Sequence, residues 1–191
     1  MILYIIMGII VLLLLLVIIW IIRTYNHFVV MKNRVANQGA QIDVQLKRRS
    51  DLIPNLIETT KGYAKYEKDT LTEVTRLRSR VMEGGSLEES WQADRQLGQI
   101  VGRMLALGES YPELKANANF LQLQQELSET EDKIAKARQF YNDVVSRYNT
   151  DLELFPQNLI AGMLGFRKSE LLQAKEQERE NVTINADAFQ F

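Results

Sequence analysis

The chain carries one imidazole, His27, and no cysteine among its 191 residues. That excludes thiol nucleophiles, thiolate metal sites and disulfide frameworks, and leaves histidine chemistry a single group to work with. His27 stands in Tyr25-Asn26-His27-Phe28, with no Ser or Cys beside it in a nucleophile motif. It reads as a residue of a membrane interface. No G-x-x-x-x-G-K-S/T, G-x-G-x-x-G or H-E-x-x-H occurs, so neither a phosphate-cradling loop nor a zinc-protease helix is visible. The expectation is a protein without cofactor, metal or catalytic residues.

Five charges stand apart from ordinary surface charge: Asp43, Lys47, Arg48, Arg49 and Asp51. Arg49 falls on the apolar register between Leu46 and Ile53, where an unpaired charge is costly. The preferred reading is a local ion network that fixes helix alignment; catalytic use of Asp43 and Asp51 is the rival. Glu126, Glu129, Asp132, Lys133 and Lys136 interleave as a solvated helix face.

The elements that must position these residues are helices. Residues 2–22 hold no charge and have the length an α-helix needs to cross ~30 Å of hydrocarbon. Tyr4 and Trp20 lie near its two ends, where interfacial aromatics sit. No basic residue precedes the run and no small-residue cleavage site follows, which disfavours a signal peptide. Arg23, Lys32 and Arg34 follow it, placing the N-terminus outside and the large remainder in the cytoplasm.

Beyond the span, Val35, Ile42, Leu46, Ile53, Leu56, Thr60 and Tyr63 recur at helical spacing, continuing through Leu71, Val74 and Val81. Glu83-Gly84-Gly85 ends this pattern. Ser86, with Glu89 three residues later, opens a second helix through a capping box, reaching about Gly108 before Tyr111-Pro112. Phe120, Leu123, Leu127, Thr130, Ile134, Ala137, Tyr141, Val144 and Tyr148 then give coiled-coil spacing, which Asp151 breaks and Phe155 resumes. Within the second helix Gly98, Gly102 and Ala106 form one small-residue stripe, suggesting close approach of another backbone. The fold class is all-α: one membrane helix followed by an antiparallel bundle of three to four long helices. Pro54 leaves two arrangements open, one long kinked helix or a new helix capped by Ser50 or Asp51.

The expected units are a 1–22 anchor, a 23–155 bundle, a 156–166 apolar segment, and a 167–191 charged helix with a polar tail. The apolar segment is too short to span and is either interfacial or a loop over the bundle end. Asn181-Val182-Thr183 matches a glycosylation acceptor by chance.

The net charge of −1 hides two halves. Residues 23–80 hold 12 Lys and Arg against 6 Asp and Glu; residues 81–191 hold 11 against 18. The basic half can meet anionic lipid, the acidic helices of its own bundle, or those of a second copy. Nucleic acid is not expected, since the basic run Lys47-Arg48-Arg49 is short.

The run Ile42-Asp43-Val44-Gln45-Leu46-Lys47-Arg48-Arg49-Ser50-Asp51-Leu52-Ile53-Pro54-Asn55-Leu56 closely resembles the LemA family. So do Tyr25-Asn26, Lys32-Asn33, Lys61-Gly62-Tyr63-Ala64, Tyr111-Pro112-Glu113-Leu114-Lys115-Ala116-Asn117, Ala137-Arg138-x-x-Tyr141-Asn142, Phe155-Pro156 and Gly165-Phe166. The similarity covers about residues 20–166. It implies a bacterial, membrane-anchored helical bundle and brings no defined reaction with it. Some similar proteins accompany magnetosomes and others a membrane metalloprotease gene. The functional expectation is a scaffold that self-associates and organises membrane or membrane proteins, in contact with anionic lipid. The rival is an adaptor of a membrane protease or sensor complex.

Overall fold

The structure, a computed structural model, describes residues 1–63, 68–83 and 85–172. All its regular elements there are helices: α1 (Ile2–Thr60), α2 (Lys68–Met82), α3 (Leu87–Ser110), α4 (Pro112–Lys115), α5 (Ala118–Glu153) and α6 (Gln157–Met163). The side chain of Leu71, Gly84, and everything after Leu172, including Asn181, lie outside the described residues.

No break separates the span from the bundle: α1 is one helix of 59 residues. Residues 9–38 contain neither Gly nor Pro, so nothing in the sequence weakens the helix as it leaves the apolar run. The apolar run is the one candidate span among the described residues, and none of them packs over it. Directly beyond it the buried register begins at Thr24, earlier than Val35. It continues through Phe28, Met31, Val35, Gly39, Ile42, Leu46, Arg49, Ile53, Leu56 and Thr60 in steps of three and four.

Pro54 lies inside α1, so the single-helix arrangement holds. A proline at that position cannot donate to the carbonyl of Ser50. Arg78 of α2 does so instead, its Nε donating to Ser50 O at 2.9 Å. The neighbouring helix thereby satisfies the carbonyl that Pro54 strands.

The predicted continuity from Tyr63 into Leu71 is not observed. Lys61, Gly62 and Tyr63 form a turn, and α2 runs back along α1, bringing Arg78 to Ser50. Ser86 caps α3 with both capping-box hydrogen bonds in place. Tyr63 and Tyr111 meet at the far tip, ring centroids 5.7 Å apart. Asn117 then caps α5 by accepting from the backbone of Asn119 and Phe120.

α5 descends antiparallel to α1 in constant register. His27 meets Asp151, Gly39 lies by Tyr141, and Arg49 meets Glu131. Its inner stripe follows the expected residues to Tyr141 and then runs through Val145, Tyr148 and Leu152, in steps of four, three and four. Val145 and Leu152 are therefore buried, Val144 is only half-buried, and Phe155 is exposed.

Residues 167–180 were expected to be helical, but the described part, 167–172, has no regular structure. Two asparagines on one face of α5 hold this strap. Asn149 exchanges two 2.9 Å hydrogen bonds with the backbone of Ser169. Asn142 does the same with Leu172. Tyr141 Oη donates to Glu170 O. A helix would have used those backbone groups internally.

Candidate functional site: a polar centre under an open groove

Arg49 takes a core position on α1 and is 7% exposed. Its Nη1 donates to Asp94 Oδ2 of α3 at 3.1 Å and lies 2.7 Å from Glu131 Oε2 of α5. One guanidinium therefore ties three helices together. Asp94 is 2% exposed, whereas the Glu131 side chain remains open to water. Burial pushes the Asp94 carboxyl up to about 6; Arg49 opposes that shift and Glu131 adds to it.

The centre underlies a cleft of about 540 Å³ between α3 and α5. Trp91, one turn before Asp94, lines it beneath the Arg138 guanidinium, which sits 5.2 Å from the ring centroid. Three buried polar atoms here have no hydrogen-bond partner: Arg49 Nε, Asp94 Oδ1 and Trp91 Nε1. All three are shut off from solvent, so they stand unsatisfied inside the packed centre, beneath the cleft rather than presented to it.

The glycine stripe has a different role from the expected backbone contact. A Cβ on Gly98 would stand 2.7 Å from Arg49 Nη2, so Gly98 makes room for the guanidinium. Gly102 has nothing within 4 Å and opens into the cleft, and Ala106 is exposed. The tight approach on α3 falls instead at Gly108, against the Phe120 ring.

The five charges do not form one network. Lys47 and Asp51 pair on the surface at 3.4 Å, while Arg48 and Asp43 are exposed and apart from Arg49. Helical phase explains this, since only Arg49 points inward with Leu46 and Ile53. Although Asp43 is exposed, loss of part of its hydration beside the helix surface raises its carboxyl above its usual value. Asp43 and Asp51 lie about 12 Å apart along α1 and do not converge. Asp94 could have been found by the reasoning that found Arg49, because it interrupts the apolar register of Ala93, Leu97 and Val101. Nothing in the sequence separates Glu131 from its solvated neighbours.

His27 belongs to another place, about 33 Å from Arg49 along α1. Its Nε2 pairs with Asp151 Oδ2 at 2.8 Å. Phe28 is fully buried beside it, and Phe166 packs on Tyr25 and Phe28 at 5.9 and 5.1 Å. Arg23, Lys32 and Arg34 are exposed around this collar, Trp20 is half-buried, and Tyr4 is exposed at the opposite end of the span.

The sequence profile of the LemA family matches residues 38–185. Magnetosome protein MamQ 1 of Paramagnetospirillum magneticum is 27% identical over 177 residues, covering 79% of this chain and 65% of that protein. Protein LemA of Metamycoplasma hominis is 28% identical over 158 residues, covering 82% and 72% respectively. MamQ of Magnetospirillum gryphiswaldense is 24% identical over 177 residues. The chain spans 65% of the length of the MamQ relatives it matches. The profile starts later than the motif resemblance and continues beyond Phe166, taking in the Asn-held strap. It covers most of the chain, including the Arg49 centre and both clasping asparagines, and the chain belongs to the LemA family.

Proposed function

We propose that this chain is a membrane-anchored, non-catalytic scaffold whose copies associate and so organise membrane or membrane proteins. The observation that carries the reading is the unbroken α1. Span and first bundle helix are one body, so the bundle's position is tied to the bilayer. The basic residues after the span favour a cytoplasmic bundle at a bacterial inner membrane. Arg23 lies beside anionic headgroups, with Lys32 and Arg34 about 15 and 18 Å beyond Ile22 along the helix. Arg48 stands about 39 Å away, several Debye lengths from the anchoring membrane. Neither relative's name denotes a reaction, and the MamQ proteins are named for the magnetosome.

The test is the mass of the full chain in native lipid discs. A discrete multiple of 22.1 kDa is expected. A uniform single copy would overturn the self-associating scaffold.

The cleft favours a second reading, an adaptor holding one foreign membrane protein, such as a protease or sensor, by a polar segment. Gly102→Trp would fill the cleft. On the adaptor reading it releases a co-purifying partner; on the scaffold reading the assembly mass is unchanged and no partner is lost.

A further inference from the structure

The apolar segment after α5 returns to the membrane end of the molecule. Residues 154–166 contain no charged side chain. α6 packs against both α1 and α5, and its inner side is buried through Ile160 and Ala161. Phe166 closes the segment onto Tyr25 and Phe28, and Asp151, just before it, is held by His27. Tyr25 is less than one helical turn beyond Ile22, so α6 sits about where α1 leaves the hydrocarbon.

Its outer side is mainly apolar, with Asn158 beside the cluster, and no described residue covers it. Phe155 is 79% exposed, Leu159 56% and Met163 82%, with Leu154 and Leu164 about half-exposed beside them. Such a cluster in water is costly, whereas the acyl–headgroup boundary accommodates it. Charge brackets the cluster. Glu153 precedes it and pairs with Lys168, and exposed Arg167 follows it. A Lys or Arg stem can lie along apolar surface with its charge among headgroups.

We propose that α6 is a second membrane contact: an interfacial wedge that places Phe155, Leu159 and Met163 in the lipid boundary beside the span. Because α6 is packed on α1 and α5, the wedge ties the end of the last bundle helix to the bilayer. It also adds an off-axis anchor that, with Trp20 and Arg23 on α1, sets the rotation of the bundle about the span. This inference goes beyond the scaffold reading and stands for one copy or many.

The absence of native cysteine makes the test clean. Full-length Leu159→Cys and Met163→Cys, both at exposed positions, are labelled with an environment-sensitive fluorophore in phosphatidylcholine–phosphatidylglycerol vesicles. Glu113→Cys at the far tip is the control. Quenching by nitroxide-bearing lipid is expected to exceed the control by roughly twofold or more, with matching protection from aqueous iodide. Iodide quenching as strong as at the control would overturn the wedge. Protection from iodide without lipid quenching would also overturn it, by showing that protein covers α6. The mass in lipid discs is read separately, so failure of the wedge is distinguishable from failure of the scaffold reading.

Discussion

Arg49 and Asp94 form a buried pair whose removal one side at a time differs from removal of both. Arg49→Met leaves a carboxyl that is 98% buried without its cation and is expected to cost about 3–5 kcal/mol in urea unfolding of the detergent-solubilised chain. Arg49→Met with Asp94→Leu is expected to regain most of that loss, since packed apolar groups can replace a buried pair. A double variant as unstable as the single would show that Arg49 acts through something other than Asp94. The pH dependence has a defined sign. The folded Asp94 value of about 6 lies above the ordinary 3.8, so its stabilising contribution is full below about 4 and is lost as pH rises through 6. Asp94→Asn, neutral throughout, is expected to flatten the fall in stability between pH 4 and 7 by about 1–3 kcal/mol. The two glycines of the stripe should answer alanine in opposite directions. Gly98→Ala pushes on a pinned guanidinium and is expected to lose about 1–2 kcal/mol. Gly102→Ala meets open space and is expected to gain up to about 1 kcal/mol from helix propensity. Thermal unfolding of both variants checks the pair. Arg49 was legible in the sequence because a charge on an apolar register demands a partner. Which partner it finds was not, because Asp94 and Glu131 lie 45 and 82 residues away and meet it only through helix packing.

At the scale of elements, Pro54 shows how a rule about one residue is overridden by its neighbour. The sequence left open whether Pro54 ends a helix. The helix continues because Arg78, from a different helix, donates to the carbonyl that proline leaves without a donor. Arg78→Gln is therefore expected to cost about 1–3 kcal/mol, the penalty of an unsatisfied buried acceptor. In a Pro54→Ala background, where residue 54 supplies the donor itself, the same substitution is expected to cost much less. Equal costs in both backgrounds would sever the link between the two residues. The capping box at Ser86 and the break at Tyr111-Pro112 were readable because both are local chemistry. The strap over 165–172 was not. Its charged composition suits a helix, and its non-helical form goes with two side chains of α5 that occupy its backbone. The turn at Lys61-Gly62-Tyr63 was likewise hidden, because the apolar period resumes in α2 close to the phase it left.

For the whole molecule, the sequence foresaw a span, an all-helical body and a basic region following the span. It did not show that the span and the body share one helix. That property decides which charges can reach the bilayer: Arg23 can, while Arg48 is carried far from it. It also makes the bundle a column. α1 climbs beside α5, with α2 and α3 joining above Gly39 and the strap alongside α5 below. The tip formed by Tyr63 and Tyr111 should stand about 57 Å from the end of the span, measured along α1, with modest shortening from helix tilt. The most direct measurement is the distance from that tip to the lipid surface. The full chain bearing Glu113→Cys, labelled with a donor fluorophore, is placed in lipid discs with acceptor headgroups on the bundle side. Rigid continuity predicts one narrow distribution centred roughly 45–60 Å from the headgroups. A broad distribution, or a donor lying within about 20 Å of the lipid, would mean that the bundle swings on its anchor and would contradict the single-body reading on which the scaffold rests.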